Sequence, residues 1–112
     1  MAETYVAIFE EAFRDKGAVH AYLASSLDFP DWYGNNLDAL LDCLTDISRP
    51  THIAFIRMRD EGPLARWFDK LALVLMIAAR ENPSVDVEIL FAYLSVKGTG
   101  YLTGFLSKGQ VV

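Results

Sequence analysis

Asp38, Asp42 and Asp46 recur at every fourth position in "NNLDALLDCLTD", and Thr45 falls beside the last two. Carboxylates at this spacing share one face of a helix, with Cβ atoms about 6 Å apart. They accept charge-assisted hydrogen bonds, so their natural targets are guanidinium, ammonium and imidazolium groups. The surrounding stretch, residues 28–46, holds five aspartates and no Lys or Arg. The remaining 93 residues carry ten acids and ten bases, so the net charge of −5 belongs to this one segment. Local stability does not account for it. Like charges at i, i+4 cost about 0.2–0.5 kcal/mol per pair, Asp is a poor helix former, and Asp46 lies at the unfavourable end of the helix dipole. A solvated face is the ordinary explanation of surface charge, but such faces usually intersperse both signs. Directly upstream stands "WYGNN". Trp32 and Tyr33 beside charged groups have the composition of a binding patch; the plainer assignment is that the two rings cap the core.

The elements that must hold these groups follow from periodicity. Residues 4–12, rich in β-branched and aromatic types, predict a strand. Val19, Tyr22 and Leu23 mark a helix over 18–27. Pro30 and Gly34 punctuate a loop. Asn35 or Asn36 is placed to cap a helix starting at Leu37, and Pro50 predicts its end near Ser48. On that helix Leu37, Leu40, Leu41, Leu44 and Ile47 fall within an arc of roughly 120°, a core-facing stripe next to the aspartates. A second strand is expected over 51–59. The next helix has Pro63 in its first turn and runs to about Asn82, and a third strand covers 85–94. The order β-α-α-β-α-β predicts an α/β fold with parallel pairing and right-handed crossovers. Residues 95–112 form a glycine-containing extension that could add a strand around "YLTGFL", packed on the same domain or at a dimer interface.

Composition narrows the functional class. At 112 residues with 53% hydrophobic types, the chain fits one domain with a core of its own. Its acidity argues against nucleic acid or an anionic membrane surface as direct partner. One cysteine, Cys43, leaves no internal disulfide framework and fits a reducing compartment. The start has no basic n-region, and the longest apolar run, 71–79, is about half a membrane span. A soluble cytoplasmic domain is expected. His20 and His52 are the only histidines, and no nucleophile–base–acid set or Gly-rich phosphate loop accompanies them; a non-enzyme is expected. The stripe lacks the alternating ligand spacing of a calcium loop and a helical His partner, so neither metal nor other cofactor is called for. Self-association is the competing interaction reading, because the helix after Pro63 is apolar nearly all round.

The run "FPDWYGNNLDALLDCLTDI" resembles the central segment of the barstar family, intracellular inhibitors of a secreted bacterial ribonuclease. The match is an aromatic pair, Gly, one residue, Asn-Leu-Asp-Ala-Leu, one residue, Asp-Cys-Leu-Thr. The resemblance implies a barstar-like fold over residues 1–94, a three-stranded parallel sheet flanked by helices. It also implies an immunity-type function, blocking a basic ribonuclease or nuclease toxin at its phosphate-binding site. By position, Asp42 matches the acid that replaces the substrate phosphate and Asp38 a second acid one turn earlier. Trp32 stands for an interface tyrosine, and Asn36 and Thr45 match further contacts. Tyr33, Gly34 and Asn35 complete the expected patch, and Cys43 matches a thiol expected to be mostly buried. The chain departs from the family at three positions. Leu41 stands where the family carries a tryptophan, Asp46 where it carries glycine, and Arg66, in "GPLARWFD", near the place of a family glutamate, where a cation would oppose a strongly basic partner. The departures point away from the family's own ribonuclease and to a relative with a rearranged basic site.

Overall fold

The computed structural model describes residues 3–58 and 62–91. The possible strand around 101–106 and the rest of the 95–112 extension lie outside the described residues. Three strands, β1 (Thr4–Phe9), β2 (Thr51–Arg57) and β3 (Val85–Phe91), form one parallel sheet in the order β1-β2-β3. Thr4 pairs with Thr51 and Thr51 with Val85, and both ladders run in step from there. The crossovers carry α1 (Lys16–Leu27) and α2 (Leu37–Thr45) between β1 and β2, and α3 (Ala65–Glu81) between β2 and β3. The α/β fold expected from the element order, with the three-stranded parallel sheet that the barstar-family resemblance implies, is the one observed.

Two crossovers of the same hand, stepping the same way across the sheet, put every helix on one face. Burial agrees. Val6, Ile8, Ile53, Phe55 and Val85 point to the helices and are buried. Tyr5, Phe9 and Leu90 point the other way and are exposed. Parallel sheets usually bury both faces; here, among the described residues, the helices flank one side only. Val19, Leu23 and Leu27 of α1, Leu40 and Leu44 of α2, and Phe68, Leu71 and Leu75 of α3 close the core.

Element ends differ from the sequence reading in instructive ways. β1 stops at Phe9, and residues 10–12 turn into a short 3-10 segment. The cause is Glu10, whose buried carboxylate accepts from the Arg57 Nε and the Met58 amide, each at 3.0 Å. Arg57 also donates to Asp69 Oδ1 at 2.9 Å, and its guanidinium lies over the Phe55 ring. Burial alone would favour loss of its proton; the two carboxylates outweigh that and raise its pKa. Pro63 sits in a turn before α3 rather than within it. Helix α2 ends at Thr45, three residues before the expected stop. The Ile47 amide bonds back to Leu44 O in a tightened turn. The buried Asn82 side chain then donates to both Leu44 O (2.9 Å) and Ile47 O (2.8 Å).

Candidate functional site

The acidic helix face is built from both ends. At its start Asn36 is the N-cap: its Oδ1 accepts from the Ala39 amide at 2.8 Å, and its Nδ2 donates to Gly34 O at 3.2 Å. Asn35, the other candidate cap, instead takes a left-handed φ of 54°, a conformation Asn tolerates better than most residues. A Cβ at Gly34 would stand 3.2 Å from Nδ2 of Asn36, against the amide that ties the turn together. At the other end Asn82 collects the free carbonyls. Underneath, Leu40, Cys43 and Leu44 are buried, and Leu37, Leu41 and Ile47 are half-buried.

On this rigid base Asp38, Asp42 and Asp46 are all exposed. Among the described residues none of the three forms an ion pair. The nearest base in sequence, Arg49, is committed elsewhere. Its Nη2 donates to Leu27 O at 2.7 Å and its Nε to Thr4 Oγ1 at 3.1 Å. The uncompensated field is felt inside the protein. Burial, and then the charges of Asp46 and Asp42, push the Cys43 thiol above its ordinary range. Thr45 is exposed, with its hydroxyl donating to Asp42 O at 3.0 Å.

The aromatic pair divides. Trp32 is 72% exposed and lies in the loop that leads into α2. Tyr33 is 8% exposed, so its side chain belongs to the core and not to the surface patch. Its hydroxyl meets Nδ1 of the buried His20 at 2.5 Å. Burial lowers the His20 pKa, and burial followed by Cys43 raises that of Tyr33. Both shifts favour the neutral pair, so the phenol donates to an unprotonated Nδ1. Phe29 and Trp67 pack against the two rings. Tyr33 therefore anchors the loop that presents Trp32. Gly34, Asn35 and Asn36 are exposed beside it, while Leu41 offers only a half-buried edge.

Sequence reasoning missed His20 and Asn82 as the residues that hold this face in place. Asn82 stood only as a helix stop before Pro83; its partners, Leu44 on α2 and Ile47 just beyond it, are 38 and 35 residues away. Among the described residues no group of three or more His, Cys, Asp or Glu is placed to hold a metal ion. No described helix is long and apolar enough to cross a membrane.

The profile of the family described as "Barstar (barnase inhibitor)" matches residues 3–82. The chain belongs to the barstar family. It is also 58% identical over 33 residues to a protein of Bacillus subtilis (strain 168) named "Putative ribonuclease inhibitor YrdF". That match covers 30% of this chain and 36% of the Bacillus protein. The barstar-family profile spans all the elements that build the acidic face, from β1 through Asn82.

Proposed function

We propose that the chain is an intracellular, immunity-type inhibitor that blocks a basic ribonuclease or nuclease toxin by placing the carboxylates of α2 in its phosphate-binding site. The observation that carries this reading is the exposure of Asp38 and Asp42 on a doubly capped helix, with no base of the described chain paired to either. Membership of a family described as barnase inhibitors supports it, as does the name of the Bacillus relative.

The mechanism follows from charge and rigidity. An enzyme that holds a scissile phosphate presents Arg, Lys and His groups, and Asp42 takes the place of the phosphate among them. Asp38, one turn earlier, meets the flanking base, and each contact is a charge-assisted hydrogen bond. Asp46 extends the line by another turn. Trp32 supplies apolar area at the rim, while Gly34, Asn35, Asn36 and Thr45 offer short polar contacts. Because the leucine stripe and the two Asn caps already fix the helix, little conformational entropy is lost on binding. The acidic face speeds encounter with a cationic partner, and salt slows it. No chemical step is required of this chain.

Capture experiments test the reading. Immobilised wild-type chain is expected to retain one or more enzymes from a panel of basic microbial ribonucleases at low salt and to release them as salt rises. The Asp38→Ala, Asp42→Ala double variant is expected to retain none. Equal retention by both proteins would remove the inhibitor assignment.

A further inference from the structure

Helix α3 buries Ala65, Phe68, Leu71, Leu75 and Ala78 against the rest of the domain. Its solvent side has a pattern of its own. Asp69, Leu73, Met76 and Arg80 follow one another at spacings of four, three and four, so they lie along a single line of the helix. Leu73 is 59% exposed and Met76 52%. Asp69 is largely exposed, with only Oδ1 engaged, by Arg57. Arg80 is exposed and forms no ion pair among the described residues. About the point between residues 74 and 75 the line is symmetric in apolarity and opposite in charge.

We infer that α3 pairs antiparallel with α3 of a second copy of this chain, across a twofold axis passing between residues 74 and 75. In that arrangement Leu73 of each copy meets Met76 of the other, and Asp69 meets Arg80 at both ends. A face that complements itself in this way is what an isologous contact requires. Charge chooses the direction: a parallel pair would oppose Asp69 to Asp69 and Arg80 to Arg80. With four apolar side chains at its centre the contact is small, so a micromolar dimer is expected rather than an obligate one. This inference does not depend on the inhibitor assignment, which concerns α2.

Sedimentation equilibrium on the full chain, from low micromolar to near-millimolar concentration, tests it. The wild type is expected to pass from monomer to dimer over that range. Arg80→Asp, which opposes two acids at each end, and Leu73→Glu are each expected to weaken the dimer at least tenfold. Combining Asp69→Arg with Arg80→Asp is expected to restore it. Arg80 and Leu73 lie away from the Arg57 ion pairs, so those two variants carry the test even if Asp69→Arg fails to fold. A wild type that stays monomeric overturns the proposal, including the case in which another segment of the same chain covers the seam. A dimer indifferent to Leu73→Glu, or a folded double variant that remains monomeric, overturns it equally.

Discussion

Asn82→Ala is the substitution that separates the frame of the acidic face from the face itself. The Asn82 side chain is buried and makes three hydrogen bonds: Nδ2 to Leu44 O at 2.9 Å, Nδ2 to Ile47 O at 2.8 Å, and Oδ1 from the Ser84 amide at 2.9 Å. At about 1 kcal/mol net for each, their loss costs about 3 kcal/mol. Leu44 O keeps backbone donors from Asp46 and Ile47, which sets a floor of about 2 kcal/mol. For a domain of this size that is a large share of the total and lowers Tm by about 10 °C. Asn82→Asp is expected to cost at least as much at neutral pH, because a carboxylate would then face two carbonyl oxygens. Urea unfolding followed by circular dichroism measures the change, with the midpoint moving at constant m-value. A loss under about 1 kcal/mol would refute the reasoning, since the bonds that end α2 at Thr45 would then contribute little.

Further outcomes follow from the same structure. Tyr33→Phe strands Nδ1 of His20 and is expected to cost about 1–2 kcal/mol in the same assay, whereas Trp32→Ala is expected to leave stability within about 0.5 kcal/mol. His20 has a folded-state pKa below its unfolded value, so its contribution is complete above the ordinary histidine range and is lost as pH falls through the folded value. Stability should therefore decline below about pH 6.5, with a shallower decline in His20→Asn; identical slopes would count against a neutral buried histidine. The Cys43 thiol is raised by burial and by Asp46 and Asp42. Its thiolate absorbance should appear at lower pH in an Asp42→Asn, Asp46→Asn variant, and an unmoved titration would mean that the acids do not act on it.

Much of the fold was written locally. The alternation in β2, the leucine stripe of α2 and the Asn–Leu junction at 36–37 each report their own structure, and the parallel topology follows from their order. The acidic face was legible for the same reason: exposure of Asp38, Asp42 and Asp46 is a property of one helix with one buried side. What sequence could not report is pairing across distance. Tyr33 looked like half of a surface aromatic pair because nothing near it in the chain names His20, thirteen positions earlier. The early end of α2 depends on Asn82, and the early end of β1 on Arg57 reaching Glu10 across 47 positions. Those partners are brought together by the sheet, after the local elements have formed.

The most direct measurement is a titration of RNA cleavage by a basic ribonuclease that the immobilised chain retains from the microbial panel, with increasing amounts of this chain at low salt. The account predicts a linear fall in activity ending at one equivalent of wild type, and a loss of potency of at least about 100-fold when Asp38 and Asp42 are both replaced by Asn, from two charge-assisted contacts at about 1.5–3 kcal/mol each. Undiminished inhibition by that double variant, with folding intact, would contradict it.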